Sequence, residues 1–249
     1  MNRRGQVMRY EQRHDFLGHY VRSAAQGEFG IAAFQRPYVW TKEDVELYLE
    51  SVCGQLPVGD FLLWKLDSEQ VGDARLSKGR IGPIEHKATT QTLILDGQNR
   101  LSTIIWAARS AEAPGAPAVL YSEQELAVWR GDETLVADIE EQRIHFVPSS
   151  AAHSPTRFPL GRIMGGTILQ LERTFDVFSA MRDAGIAESN LNWFLDDIPN
   201  HFRSKKISVT ELSDATPEEA LHAFLRICRN GQRITDEDIE AARRWMLDK

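Results

Sequence analysis

The chain has 249 residues, 42% hydrophobic and 26% charged, a balance that suits one large or two small globular domains and excludes disordered, collagen-like and low-complexity classes. Its 36 acidic and 29 basic side chains give a net charge of -7, so the mean field does not draw in a polyanion, although a local basic patch could. Two cysteines, Cys53 and Cys228, make neither a disulfide framework nor a CxxC site, and no apolar run approaches the roughly 20 residues a bilayer needs, so a cytoplasmic protein without a membrane segment is expected.

In chain order, Phe16, Leu17, Tyr20, Val21 and Ala24 share one face at helical spacing, which predicts a first amphipathic helix over Asp15 to Ala24, ended by Gly27 and Gly30. A short strand at Ile31 to Phe34 leads into Gln35-Arg36-Pro37-Tyr38-Val39-Trp40, where the proline disfavours helix at Arg36. Thr41, followed by Glu43 and Asp44, caps a second helix whose buried stripe is Val45, Tyr48, Leu49 and Val52, and Pro57 closes it. Asp60 to Leu66 reads as a buried strand, and Asp67 to Gln91, polar and glycine-rich, as a long exposed loop. Thr92 to Leu95 is a strand running into Asp96-Gly97, and Leu101, Ile104, Ile105 and Ala108 mark the helix that follows. Ser110 to Ala118 is a linker of alanine, proline and glycine. Thr134 to Ala137 and Arg143 to Val147 alternate as a hairpin, and Pro148 to Pro159 is loop. From Ile163 the pattern is helical, broken by a strand at Lys206 to Val209. Thr216-Pro217-Glu218-Glu219 is a capping box for a helix with Leu221, Phe224, Leu225 and Cys228 inward, ended by Asn230-Gly231, and Thr235 caps a last helix.

The strand-to-helix turn Asp96-Gly97-Gln98-Asn99-Arg100 carries the strongest chemical signal. Free N–H groups and the positive end of a helix dipole suit a phosphate, Gly97 permits close approach, and Arg100 offers a planar fork. Asp96 would repel a bare phosphate, so in a nucleotide site it holds a magnesium ion or orients a water. The competing reading is a helix cap at Asp96 paired with Arg100. The aromatic cluster Phe34 to Trp40 could stack and read a base, or could be core with Trp40 as a staple. Gly54 and Gly59 have Walker-type spacing, but Asp60 and Phe61 occupy the positions where Lys and Ser or Thr are required. Asp73 with Glu85-His86-Lys87 is a weak nuclease-like match, and the histidines show no HxxxH or HExxH spacing.

Taken together, FQRPYVW (Phe34 to Trp40), QLPVGDFLLW (Gln55 to Trp64), LILDGQNRLSTI (Leu93 to Ile104) and FLRICRNGQRITDEDIEAAR (Phe224 to Arg243) resemble the family that forms the amino-terminal half of GmrSD-type type IV restriction enzymes, related to the ParB-like and sulfiredoxin-like superfamily. The resemblance runs from about Asp15 to about Trp245. It implies an α+β fold: a small mixed ParB-like sheet with helices in residues 1–110, a linker and hairpin insertion in 111–162, and a mostly helical part in 163–249. It also implies a nucleotide-binding module of a prokaryotic anti-phage restriction system, with hydrolysis of a nucleoside triphosphate as its activity and Mg2+ as cofactor. Asp96, Gln98 and Arg100 would be catalytic, with Asp96 on the metal. Gln35, Arg36, Tyr38, Trp40, Gly97 and Asn230 would bind the nucleotide. Asn99 replaces the second Gln of the family's DGQQR, and Cys228 stands where the late motif has Asn, departures that bear on hydrolysis more than on binding. No HNH set occurs, so DNA cleavage would need a separate nuclease chain. The alternative is a non-catalytic DNA-binding or partner-binding module in which the same residues grip a backbone.

Overall fold

The computed structural model describes residues 7–78, 80–109, 121–152, 154, 156–161, 185–229, 237, 240, 244 and 245. Its centre is explained by two short runs, Phe61–Lys65 (β3) and Thr92–Asp96 (β7), which are apolar at nearly every position. Strands of that kind are buried on both faces. Phe61, Leu63 and Ile94 point to one core, and Leu62, Trp64, Leu93 and Leu95 to the other.

Around them forms a mixed six-stranded sheet. The remaining members are Arg9–Phe16 (β1), Phe29–Ala32 (β2), Ser77–Lys78 (β4) and Lys206–Ser213 (β11), in the order β1-β11-β3-β7-β2-β4. β11 is parallel to β3, β3 antiparallel to β7, and β7 parallel to β2. The larger core takes the buried faces of three helices, Leu17–Ala25 (α1), Lys42–Cys53 (α2) and Gln98–Arg109 (α3). The second core is covered by Pro217–Arg229 (α7) through Ala220, Leu221 and Phe224, with the Phe34 ring tilted against that of Phe224 at 5.4 Å between centroids. The protein is α+β, as expected.

Both capping boxes form. Thr41 and Asp44 exchange side-chain and backbone hydrogen bonds at the start of α2, and Thr216 and Glu219 do the same at the start of α7. The hairpin is Glu133–Asp138 (β8) with Arg143–Pro148 (β9), and Arg157–Pro159 (β10) adds a third strand inside the segment read as loop. The long loop 67–91 also contains more structure than its composition suggests. Besides β4 it holds the pair Arg80–Ile81 (β5) and Ile84–Glu85 (β6), and Ile81 is buried beneath α3. Two further elements were not anticipated: β1, and a helix over Glu123–Trp129 (α4) capped by the Ser122 hydroxyl. Beyond residue 184, Glu188–Asn192 (α5), a π-helical turn at Trp193–Asp197 and Ile198–Ser204 (α6) follow one another directly. The expected linker at 110–118, the Asn230-Gly231 stop and the cap at Thr235 lie outside the described residues.

Candidate functional site

Because β2 and β7 are parallel, with Phe29 beside Thr92 and Ile31 beside Ile94, their carboxyl ends emerge together. β3 runs the other way, with Leu62 opposite Asp96, so its beginning arrives at the same end. Three segments distant in sequence therefore meet there: the loop 33–40, the turn 96–100 and Gly59 to Phe61. Loops gathered at strand ends are where open sheets build their sites.

Hydrogen bonds join the two motifs. The buried Gln35 amide donates to the carbonyls of Ile94 and Leu95, the last residues of β7 before Asp96. The Val39 N–H donates to Asn99 Oδ1 at 3.4 Å, and Tyr38 Oη lies 2.8 Å from Thr103 Oγ1 on α3. Burial pushes the Tyr38 phenol above its ordinary range. Trp40 is buried edge-on against Tyr48, 5.0 Å between ring centroids, which is the packing role open to it from sequence. Tyr38 and Trp40 thus hold the loop, and Arg36 sits half-buried within it. Asn99 makes one of the contacts that tie the loop to the turn.

At the turn, Leu101 N–H donates to the Gly97 carbonyl, so the helix cap is Gly97 and Asp96 precedes it. The reading of Asp96 as the cap is corrected by that bond. Gly97 has φ +99°, and a Cβ there would stand 2.5 Å from the Phe61 ring. The Arg100 guanidinium lies over the Phe61 ring, 5.9 Å to the centroid, and beside Gly59. Its Nη1 donates to the Asp60 carbonyl at 2.6 Å and is ion-paired with Asp96 Oδ2 at 3.5 Å, the pairing expected in the competing reading. Among the described residues the Asp96 carboxylate, 36% exposed, accepts no hydrogen bond, and the Gln98 amide at the head of α3 has no partner. Gly59, Asp60 and Phe61 escaped the sequence reading as site neighbours; the glycine before Asp60 in the QLPVGDF segment was the available signal. Asn230 lies outside the described residues.

A second group stands on the β8–β9 hairpin. Asp138, Glu141 and His145 bring ligand atoms within 4.8 Å of one another and could hold a metal ion. Asp138 is buried and accepts from Arg157 Nε at 2.8 Å and from the backbone N–H groups of Glu140 and Glu141. Burial alone would raise its carboxyl; these donors outweigh it and hold the group below the ordinary range. Neither the HxxxH and HExxH spacings nor the match at Asp73 and Glu85-His86-Lys87 describes this group, which combines acids and one histidine across a turn. Asp73 and Glu85 of the nuclease-like match are ion-paired separately, with Arg75 and Arg80.

Residues 17–244 match the family model described as the GmrSD restriction endonuclease, N-terminal domain. The chain belongs to this family. By its description the family is a domain of a restriction endonuclease, which makes the chain a component of a restriction-type system. The chain is also similar to the uncharacterized protein MJ0686 of Methanocaldococcus jannaschii, 29% identical over 97 residues, which is 38% of this chain and 17% of that protein. Among the described residues no helix of this GmrSD-family chain is long and apolar enough to cross a membrane.

Proposed function

We propose that the sheet end formed by the 33–40 loop and the 96–100 turn binds a nucleoside triphosphate, and that the chain is a nucleotide-using sensor or regulatory module of an anti-phage restriction system. The observation that carries the reading is the hydrogen-bonded union of the two motifs at the head of α3, where Asp96 accepts no hydrogen bond and Gln98 has no partner among the described residues. The first N–H groups of a helix and an adjacent guanidinium form an anion site. In this reading Arg100, braced on Phe61 and the Asp60 carbonyl, neutralises phosphate charge, and Arg36 of the 33–40 loop adds to it. Gln98 orients the attacking water. Gln35, Tyr38 and Trp40 fix the loop, and Gly97 keeps the turn narrow.

Magnesium is commonly held by one or two carboxylates completed by phosphate oxygens and water. The Asp96 carboxylate, partly exposed and held among the described residues only by its 3.5 Å ion pair with Arg100, fits that demand, and the ion would neutralise charge on the transferring phosphoryl group. The hairpin group at Asp138 is the less suitable anchor, because Arg157 already occupies its buried carboxylate. A nuclease chain and DNA are the partners that the GmrSD family suggests.

Isothermal titration of the full chain with a panel of nucleoside triphosphates, with and without Mg2+, followed by phosphate release on the same samples, tests the reading. Arg100→Ala is expected to weaken binding by about tenfold or more, the scale of a charged hydrogen bond. Asp96→Ala is expected to spare binding and remove turnover together with its Mg2+ dependence. No affinity for any nucleotide, beside DNA affinity that falls steeply with salt, would replace this reading with the DNA-binding module.

A further inference from the structure

β1 is the edge strand of the main sheet, and along it the residues of both faces are largely exposed, Tyr10 by 72%. It pairs with β11 over all eight residues, Arg9 opposite Ser213 through Phe16 opposite Lys206, and among the described residues no strand meets its outer edge. Long open edges invite a further strand, and proteins usually blunt them. This one is not broken by proline or shortened. It carries charges of alternating sign on one face: Arg9, Glu11, Arg13 and Asp15.

Within one chain Arg9 is ion-paired with Asp214, and Asp15 accepts from the Phe16 N–H and the Tyr20 hydroxyl, so the set is incomplete at Glu11 alone. Glu11 lies directly opposite Glu211, and the nearby cation, Arg13, is engaged with Glu211 at 3.3 Å and with the Tyr20 hydroxyl. Among the described residues Glu11 has no partner. Like charges directly opposite across a ladder are destabilising.

Strand geometry limits how a second copy could add here. Alternate residues of a strand turn their N–H and C=O groups to each edge, so two identical edges paired antiparallel about a two-fold must match residues of the same parity. The axis then passes beside a single residue. Centred on Glu11, the ladder would set Glu11 against Glu11 and Arg9 against Arg13. Centred on Arg13, it would set Arg13 against Arg13 and Glu11 against Asp15. Centred on Gln12 it uses the whole strand and every charged pair is opposite in sign: Arg9 with Asp15 and Glu11 with Arg13, each twice. The other face then places Tyr10 beside His14 and Met8 beside Phe16.

We propose that β1 is a homodimerisation edge, at which two copies of this chain join antiparallel about Gln12 into one continuous sheet, with Glu11 of each copy supplied by Arg13 of the other. The docking partner is a second copy because the strand's charge sequence is its own complement. The segment that matches the family model begins at Leu17, just after β1.

Sedimentation equilibrium of the full chain over a concentration series tests this, with thermal melts to establish that each variant is folded. The unmutated protein is expected to pass from monomer to dimer as concentration rises. Glu11→Arg and Arg13→Glu should each weaken self-association by about tenfold or more, since two attractive cross-strand pairs become two repulsive ones. An equimolar mixture of the two variants should recover dimers, because positions 11 and 13 then carry only cations in one copy and only anions in the other, and both cross-strand pairs become attractive again. A chain that stays monomeric throughout, a dimer insensitive to both single changes, or a mixture that fails to recover would each overturn the proposal.

Discussion

Replacing Gly97 with alanine tests how the turn between β7 and α3 is built. The backbone there has φ +99°, outside the region open to L-residues, and an added Cβ would fall 2.5 Å from Cδ1 and 2.7 Å from Cε1 of Phe61. The backbone part costs about 1–2 kcal/mol. Phe61 is 1% exposed in the main core and has no open space to retreat into, so forcing the methyl against it adds about 1–3 kcal/mol as overpacking. The expected loss is about 2–5 kcal/mol out of a total stability of about 5–15 kcal/mol, read as a lowered urea midpoint at unchanged m-value. A double-mutant cycle separates the two parts. Phe61→Ala alone costs about 3–5 kcal/mol by leaving a cavity, and in its background Gly97→Ala should cost only the backbone share, about 1–2 kcal/mol. Strict additivity, or a Gly97→Ala loss below about 1 kcal/mol, would refute the reasoning that Phe61 rather than a ligand accounts for the glycine.

Lys205 Nζ donates to the carbonyls of Ser51, Gly54 and Leu56 and so closes the carboxyl end of α2. Lys205→Met should strand those acceptors and lower stability by about 2–4 kcal/mol in urea unfolding. Burial raises the Glu125 carboxyl above its ordinary range, although Trp106 Nε1 donates to it at 2.6 Å. Its stabilising contribution is complete below the unfolded value near about 4.3 and is lost as pH rises through the raised folded value. Glu125→Gln, which retains an acceptor for Trp106, should therefore stabilise the protein at neutral pH and give no gain near pH 4, as thermal melts across a pH series would show. Burial pushes the Cys53 thiol up to about 12, so peptide mapping after alkylation of the native protein at neutral pH should find Cys53 unmodified, and modified only after denaturation.

Much of the frame was legible because its signals are local. Thr41 and Thr216 each precede an acid three residues on, and β3 and β7 are apolar runs of strand length between turn residues. β1 was missed because its sequence, RYEQRHDF, alternates in no hydrophobic sense: with both faces largely exposed it carries no period-two pattern, and only pairing with β11 makes it a strand. The strands inside 67–91 are two residues each and too short to leave a pattern. At the site, the motifs named the turn and the loop, but not the manner of their joining. Gln35 binds backbone carbonyls and Asn99 accepts a backbone N–H, contacts that depend on the parallel β2–β7 pairing and leave no mark on spacing. Gly59 and Phe61 enter the site only through the antiparallel return of β3, so their relation to Arg100 and Gly97 is tertiary.

If the two motifs form one nucleotide site, as proposed, backbone amide resonances report on it directly. Adding a nucleoside triphosphate with Mg2+ to isotopically labelled protein should shift the amides of Gly97, Gln98, Asn99 and Arg100 together with those of Gln35, Arg36 and Tyr38, in a saturable manner with one common affinity. Shifts confined to the hairpin around Asp138, Glu141 and His145, or a spectrum unchanged by every nucleotide, would contradict the account.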